Sequence, residues 1–418
     1  MRYNASLFCQ ILQILPRSIF DRLVRETRSE RHSKGFSSWA QCVGMLFCQL
    51  AQARSLREIS DGLAATCGKL NHLGLHGAPA KSTLSYANEH RPWELWRRLF
   101  YELLDLCRAQ APGKKRKFRF KNKLFSIDAT TIDLCLSLFP WAHFRQTKGA
   151  VKLHLLLDHD GYLPVFALVT DAHGSDLEVL PLLDLPKGSL VALDRGYYDF
   201  TTFERWTQAG IFFVTRLKSR ADYTVIQSRP LPQRGNVRAD ELIAFQGRQS
   251  RLKCPSTLRR VVVWDEANER EVELLTNHLD FGPTTIGQIY RDRWEIELFF
   301  KVLKQQLRIN TFVGTSANAL KTQIWTALIA LLLLRYLQFR SHCNLPLCRL
   351  VALLRWNLFT YRELWAWLDN PFEVPPEPPP VQLALAFGTA PAPNAQAFEP
   401  RRGGLFSPRR PQGPQMHY

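Results

Sequence analysis

Residues 284–307 have the sequence TTIGQIYRDRWEIELFFKVLKQQL, which predicts a single helix. Thr285 and Gln288 have the spacing of a capping box just after Pro283, and neither Gly nor Pro interrupts the residues that follow Gly287. Four polar residues fall within about 60° of one another on a helical wheel, and most of the remaining circumference is apolar. They are Tyr290, Arg293, Glu297 and Lys304. Because a helix that is apolar on most sides is buried, the polar stripe is expected to face a cleft or a ligand.

The spacing of these four residues, Y-x2-R-x3-E-x6-K, resembles the signature of bacterial insertion-sequence transposases of the insertion sequence four family. The alternative is an i,i+4 salt bridge between Arg293 and Glu297 on a solvated face. The apolar flanks argue against such a surface helix. Glu295 is the competing carboxylate and lies about 160° from Glu297 on the wheel. Glu297 is therefore the predicted acid of this helix.

The composition indicates a nucleic-acid partner. The chain has 418 residues, enough for two or three domains, and its net charge of +18 favours a polyanion. Nucleic acid is the first candidate and an anionic membrane the second. The nine cysteines contain no CxxC pair, a pattern typical of a reducing cytosol and of neither a disulfide framework nor a zinc site. The N-terminus has no signal-peptide pattern. The longest apolar run, 324–334, is too short to span a bilayer, so we expect a core helix there and no membrane partner.

Residues 1–112 are predicted to be helical, because apolar residues recur there at helical spacing. The resemblance implies that this N-terminal helical domain binds DNA. After a Gly-rich turn over 68–77, a polar-fronted helix begins at Lys81. Lys81, Ser85 and Asn88 share one face of that helix, and Asn is able to read adenine in the major groove. The alternative is a structural helical bundle whose polar face is solvated.

Two segments flank the predicted catalytic core. Residues 113–123 form a basic linker in which seven Lys and Arg residues are interleaved with Phe118 and Phe120. Lys and Arg side chains that bind phosphates release counterions from the nucleic acid, which favours binding. We therefore expect this segment to contact DNA, and a solvated linker is the alternative. Residues 371–418 are rich in proline and are predicted to form a disordered tail.

Residues 124–370 are predicted to form an α/β catalytic core of the ribonuclease-H-like class. A strand over 124–127 ends in Asp128, a hairpin follows, and a strand over 190–193 ends in Asp194. Ligands bind at strand ends in an open sheet. The order strand, hairpin, helix, strand, helix, strand matches the ribonuclease-H-like core, whose first and fourth strands are adjacent. Asp128 and Asp194 are therefore expected to be neighbours.

Residues 217–283 are predicted to form a mainly β insertion inside this core, because the helical pattern fails there. The runs 260–264 and 271–275 flank a turn and predict a hairpin. A β-rich insertion before the glutamate helix resembles the same family, in which related transposases place a tryptophan that stacks on a flipped base. Trp264 ends the first run, where its ring could reach outward. The alternative is that Trp264 belongs to a small core of the insertion itself.

Asp128, Asp194 and Glu297 suit metal-dependent phosphoryl transfer. Three carboxylates in one cleft repel each other and raise each other's pKa. Hard divalent cations remove that penalty, and all-oxygen ligation is typical of Mg²⁺ or Mn²⁺. Two such ions activate a water or a 3′-hydroxyl for in-line displacement. Because phosphoryl transfer needs positioning and charge neutralisation, no Ser or Cys nucleophile is required.

The resemblance implies a DDE transposase in which these three acids are the catalytic and metal-binding residues. It would cut DNA at the terminal inverted repeats of its own mobile element and join the freed 3′ ends to target DNA. Arg293 and Lys304 are expected to hold phosphates of the scissile strand, and Tyr290 to hydrogen-bond or stack there. A homodimer in the synaptic complex, a hairpin intermediate, and a cytoplasmic, nucleoid-associated location are also implied. Two other classes stay open: a ribonuclease-H-like metal-dependent nuclease without strand transfer, and an inactive DNA-binding relic.

Overall fold

The computed structural model describes residues 5–31, 33–66, 70–111, 118, 120–145, 148–307, 309, 311–342 and 345–373. All of these belong to one compact unit that spans residues 1–373. Five of the seven linker cations, and the predicted tail from residue 374 onward, lie outside the described residues.

The described helices fall into an N-terminal group, a group around the sheet, and a C-terminal group. They are α1 (Leu7–Leu12), α2 (Arg17–Glu26), α3 (Ser38–Ala51), α4 (Leu56–Ala64), α5 (Lys81–His90), α6 (Glu94–Gln110), α7 (Phe200–Gln208), α8 (Arg248–Lys253), α9 (Pro283–Asp292), α10 (Glu295–Gln306), α11 (Ala317–Arg340), α12 (Leu347–Asn357) and α13 (Leu364–Asp369). Short 3-10 helices occur at Asn71–Leu73, Asp176–Leu182 and Arg195–Tyr197.

The described strands form one mixed sheet. They are β1 (Leu124–Leu134), β2 (His143–Arg145), β3 (Lys148–Asp158), β4 (Leu163–Asp171), β5 (Leu190–Leu193), β6 (Phe212–Arg216), β7 (Tyr223–Ser228), β8 (Val237–Phe245), β9 (Leu258–Asp265) and β10 (Arg270–Thr276). Their order is β2-β3-β1-β5-β6-β10-β9-β8-β7, with β4 also paired to β3. β1 is antiparallel to β3 and parallel to β5, and β5 is parallel to β6. The predicted pairing of the first strand with the strand over 190–193 is confirmed.

The first strand is longer than predicted. We expected it to end at Asp128, but β1 continues to Leu134. Thr130 and Ile132 keep the period-two alternation beyond the acid, and residues 125–134 pair with β3. Its parallel partner stops earlier, because the last pair of the β1–β5 ladder is Ile127 with Leu193. Asp128 therefore lies at the point where the neighbouring strand ends.

The segment 217–283 extends this same sheet. It contributes β7 to β10 and α8, and β9 and β10 form the predicted hairpin. β10 then pairs with β6 through Leu275 and Thr215, which joins the segment edge-on to the strands that carry the acids.

The N-terminal and C-terminal helices share one hydrophobic core. Trp96 of α6 and Trp325 of α11 are both almost fully buried, and the rings of Phe100 and Trp325 meet edge to face at 5.3 Å. The predicted boundary at residue 112 therefore does not separate two cores. Among the described helices, α11 is long and apolar enough to cross a membrane by length and composition, but 83% of its apolar window is buried inside the protein. The prediction of a core helix at 324–334 is confirmed.

The segment over 284–307 is two helices, and the prediction of one helix is wrong. α9 ends at Asp292 and α10 begins at Glu295. At the junction the backbone bonds tighten to i→i−3, with the Arg293 amide donating to the Tyr290 carbonyl at 3.3 Å. The predicted capping box is also wrong. The helix starts at Pro283 without a side-chain cap, so Thr285 lies inside the first turn.

The apolar side of this pair of helices is only partly buried. Ile296, Phe299 and Phe300 enter the core as expected. Trp294 and Leu298, however, are 57% and 44% exposed, so the expectation that they are buried is wrong. Both exposed side chains follow the junction that carries Arg293.

Candidate active site

Asp128 and Asp194 occupy equivalent positions on two neighbouring parallel strands. Each is the residue after the last pair of the β1–β5 ladder, Ile127 with Leu193. Asp194 precedes the 3-10 turn Arg195–Tyr197, which leads the chain away from the sheet. The register therefore brings the two predicted acids to the same edge of the sheet.

Glu297 reaches the same edge through Arg293. Arg293 Nη2 donates to Glu297 Oε1 at 2.8 Å, and Nη1 lies 3.4 Å from Asp128 Oδ2. The arginine side chain is only 11% exposed. The i,i+4 salt bridge that the sequence allowed is thus present, but it lies in a half-buried site and extends to a carboxylate on β1. Arg293 links two of the three predicted catalytic acids.

The charge state of Asp128 reflects this crowding. Burial raises the pKa of Asp128 to about 6, and the like charges of Asp194 and Glu297 act in the same direction. The Ala129 amide, which donates to Asp128 Oδ1 at 2.8 Å, and Arg293 act in the opposite direction. Because both other acids influence Asp128, the three carboxylates share one electrostatic environment.

The ligand chemistry of this site suits a hard divalent cation, since carboxylate oxygens are the ligands that Mg²⁺ and Mn²⁺ prefer. Among the described residues, no group of three His, Cys, Asp or Glu side chains is gathered closely enough to hold a metal ion. The single positive charge of Arg293 lies between Asp128 and Glu297 and is paired with both. The three acids therefore fit a divalent ion by ligand type, with a guanidinium between two of them.

Tyr290 and Arg216 complete the polar lining. The Tyr290 ring centroid lies 5.6 Å from the Arg293 guanidinium carbon and 6.0 Å from that of Arg216. Burial raises the pKa of Tyr290, so its phenol stays protonated. Arg216 ends β6, two residues past the pair of Ala192 with Val214, and so stands in register with Asp194. Arg216 is not among the site residues predicted from the sequence. A charged residue at the end of the next apolar strand was the available signal.

Lys304 lies further along α10. Its Nζ donates to the Thr131 carbonyl of β1 at 2.8 Å, and burial lowers the pKa of its ammonium group. This bond ties α10 to β1 three residues beyond Asp128. The expected phosphate contact of Lys304 stays a prediction.

Glu295, the competing carboxylate, points elsewhere. Its charge acts on Arg335 of α11, whose pKa is lowered by burial. The structure places Glu297, and not Glu295, beside Asp128.

The expected reading face of α5 needs a correction. Asn88 is 1% exposed, and its Oδ1 accepts a hydrogen bond from Gln41 Nε2 at 2.8 Å. The prediction that Asn88 contacts a base is therefore wrong, because its side-chain amide is buried and hydrogen-bonded inside the helical core. Lys81 is exposed and Ser85 half-buried, so both stay predictions.

Trp264 lies at the end of β9, opposite Glu271 of β10. Its ring is half-buried, and the guanidinium carbon of Arg238 lies 5.8 Å from its centroid. A role in base stacking stays a prediction.

Comparison with known families decides the class. Residues 119–333, just over half of the chain, match the family model described as Transposase DDE domain. The chain belongs to the DDE transposases. All three acids, Asp128, Asp194 and Glu297, lie within the matched segment, and DDE transposases use divalent metal ions. Residues 3–76 match a second model, a domain of unknown function.

The transposase has curated bacterial relatives, which are themselves described as transposases. It is 30% identical over 278 residues to the probable transposase for insertion sequence element IS5377 of Geobacillus stearothermophilus, covering 65% of this chain and 72% of the relative. It is 29% identical over 317 residues to the putative transposase y4zB of Sinorhizobium fredii, covering 74% and 87%. It is also 27% identical over 161 residues to the transposase InsG for insertion sequence element IS4 of Escherichia coli, covering 35% and 34%. The resemblance to the insertion sequence four family is thereby confirmed.

A solved structure described as a piggyBac transposase synaptic complex with hairpin DNA aligns at a TM-score of 0.45 and 10% identity, over 89% of this chain and 82% of the other. A likeness of this size carries no inference about the present transposase.

Proposed function

We propose that Asp128, Asp194 and Glu297 are the catalytic triad and the metal ligands of this transposase. It would cleave DNA at the ends of its insertion sequence and transfer the freed 3′ ends into target DNA. One observation carries the proposal: Arg293 joins Asp128 to Glu297, while Asp194 stands beside Asp128 on the next parallel strand. Separate segments of the chain thus bring three acids to one edge of the sheet.

The proposed fold is a ribonuclease-H-like core with a β-rich insertion and an N-terminal helical DNA-binding domain. The strand order β4-β3-β1-β5-β6, with antiparallel pairs before β1 and parallel pairs after it, supports this class. In the N-terminal helices, Lys81 and Ser85 are the proposed DNA contacts, because both lie on α5 with access to solvent.

Mg²⁺ or Mn²⁺, when bound, would supply charge neutralisation and activation of water or a 3′-hydroxyl. The carboxylates of Asp128, Asp194 and Glu297 would hold it. Once Asp128 and Glu297 hold the ion, Arg293 would be free to donate to a phosphate of the scissile strand. Tyr290 would donate from its protonated phenol, and Lys304 would add positive charge along the same helix.

The proposed partners are the terminal inverted repeats of the element, target DNA and a second copy of the chain in a synaptic dimer. The net charge of +18 supports the DNA partners. The proposed location is the bacterial cytoplasm, at the nucleoid. The proposed route is cut-and-paste through a hairpin on the element's ends.

A strand-transfer assay tests the function. Labelled, pre-cut element ends are incubated with the transposase, a divalent ion and a supercoiled plasmid. Joined products are the expected result. Hydrolysis without joining would favour a ribonuclease-H-like nuclease. DNA binding with neither reaction, together with no binding of a divalent ion, would indicate an inactive relic.

Arg293→Ala and Lys304→Ala are each expected to weaken binding of terminal DNA. Each lost phosphate contact should flatten the dependence of log affinity on log salt concentration by up to about one unit. Fluorescence anisotropy over a salt series measures both quantities. Arg291→Ala is the matched control, because Arg291 is exposed on α9 but lies about 160° from Arg293 on the helical wheel.

If both variants bind like wild type across the salt series but melt at lower temperature, then the Arg293 bridge and the Lys304 bond to Thr131 are purely structural. A flattened slope in Arg291→Ala alone would place the DNA on the other side of the helix.

Trp264→Ala is expected to let nicking proceed and to stall the reaction before the hairpin forms. Unstacking a base costs a few kcal/mol, and stacking on an aromatic ring returns about 1–3 kcal/mol. Pre-nicked ends resolved on denaturing gels, with melting followed in parallel, give the measurement. Normal hairpin formation, or simple unfolding of the variant, would assign Trp264 to packing.

A further inference from the structure

A chain of buried polar groups lies behind the two catalytic aspartates. His154 of β3 pairs with Ala129 of β1, the residue after Asp128, and is 1% exposed. Its Nε2 lies 2.9 Å from the Thr170 hydroxyl of β4, and its Nδ1 lies 3.3 Å from the Tyr197 hydroxyl. Burial lowers the pKa of His154, so the ring is neutral and one nitrogen donates while the other accepts. Both ring nitrogens are therefore engaged.

Tyr197 carries this connection to the second aspartate. It is 1% exposed and belongs to the 3-10 turn that follows Asp194, and its amide donates to the Asp194 carbonyl at 3.1 Å. Burial raises the pKa of Tyr197, and the charges of Asp176, Asp128 and Asp194 add to the effect. Its hydroxyl is therefore a neutral group, fixed close to the carboxylates.

A second connection supports the same turn. Lys152 of β3 donates to Asp176 Oδ1 at 3.0 Å and to the Gly174 carbonyl at 3.1 Å. The other oxygen of Asp176 lies 3.3 Å from the position that a Cβ at Gly196 would take. The backbone next to Asp194 thus rests against a carboxylate that β3 holds in place.

We propose that Tyr197 and His154 are positioning residues that fix the Asp194 carboxylate relative to Asp128, so that the two acids can accept one divalent cation. The inference rests on the proposed function, because it assumes that both aspartates are metal ligands. The hydrogen bond between Tyr197 and His154 connects the turn after Asp194 to β3, the strand paired with β1. This bond is the link from the turn to β3 that joins side chain to side chain, in addition to the packing of the Tyr197 ring in the hydrophobic core. Groups that hydrogen-bond directly to metal ligands change metal affinity by about 10–100-fold. Tyr197 acts one step further away, through the backbone of the turn, so the lower end of that range is expected.

Tyr197→Phe tests the proposal without changing charge or side-chain volume appreciably. Tyr198→Phe is the matched control, because Tyr198 is the adjacent residue and 4% exposed. Its hydroxyl has no hydrogen-bond partner among the described residues, and its ring packs on Phe200 and Phe203. Mn²⁺ binding to the full-length protein, followed by electron paramagnetic resonance, is the readout. We expect Tyr197→Phe to weaken Mn²⁺ affinity about 10-fold, with Tyr198→Phe unchanged.

Melting temperature and binding of terminal DNA are measured on the same samples. If Tyr197→Phe lowers the melting temperature but binds Mn²⁺ like wild type, its hydroxyl is only structural and the proposal is overturned. Equal losses of Mn²⁺ affinity in both Phe variants would overturn it as well. Asp194→Asn distinguishes a failure of the positioning role from a failure of the proposed metal site. If Asp194→Asn binds Mn²⁺ like wild type, the proposed metal site itself is wrong.

Discussion

Glu297→Gln is expected to reduce DNA cleavage by at least about 10³-fold while leaving binding of terminal DNA nearly unchanged. The substitution removes one metal ligand and keeps the shape of the side chain. Metal-ion charge stabilisation is worth several kcal/mol, and about 4 kcal/mol corresponds to a factor of about 10³ in rate. Asp128→Asn and Asp194→Asn should give losses of the same order. Cleavage of labelled element ends in Mg²⁺ or Mn²⁺, with binding measured by anisotropy at fixed salt, tests all three.

Glu295→Gln is the matched control, because it makes the same chemical change two residues away. The charge of Glu295 acts on Arg335 of α11, whereas Arg293 pairs with Asp128 and Glu297. Cleavage by Glu295→Gln should therefore stay close to wild type. Retained cleavage in Glu297→Gln together with its loss in Glu295→Gln would move the triad to Glu295.

The pairing of the two aspartates could be predicted from the sequence because it depends on local pattern and simple topology. Residues 190–193 are continuously apolar, which is typical of a buried parallel strand. The length of β1 was not predictable in the same way. An acid directly after the short, mostly apolar run 124–127 looks like the end of a strand. Thr130 and Ile132 nevertheless continue the pairing with β3.

The break at Arg293 and Trp294 has no sequence signal, since neither Gly nor Pro follows Gly287 in this segment. Both residues also keep helical backbone angles. The tightened turn coincides with a guanidinium that reaches two carboxylates, one of them 165 residues away in the chain. The prediction that Asn88 contacts a base was wrong for a similar reason. Its partner, Gln41, is 47 residues away, so its burial depends on helix packing that no single-helix wheel contains.

Arg259→Met is expected to destabilise the protein by about 3–5 kcal/mol, the typical cost of removing one partner of a buried ion pair and leaving the other charge unpaired. Arg259 and Asp240 are 1% and 2% exposed and form two hydrogen bonds of 2.7 and 2.8 Å. Arg259 Nη1 also donates to the carbonyls of His278, Leu279 and Phe281, just before α9 begins. One side chain thus joins β8 and β9 to the segment that leads into the glutamate helices. The midpoint of urea unfolding, at constant slope, measures the loss.

Arg260→Met is the control for this prediction, because the next residue on β9 is also a paired arginine. Arg260 bonds to Glu241 at 2.7 Å and Glu273 at 2.8 Å, but its partners are 20% and 42% exposed, so its loss should cost about 1 kcal/mol or less. The double variant Arg259→Met with Asp240→Leu should recover part of the stability lost in Arg259→Met, since it leaves no buried charge without a partner. It should not recover all of it, because three carbonyls before α9 still lack their donor. If Arg259→Met and Arg260→Met cost the same, Arg259 does not anchor this segment. If the double variant is the least stable of the three, the uncompensated charge of Asp240 is not the source of the loss.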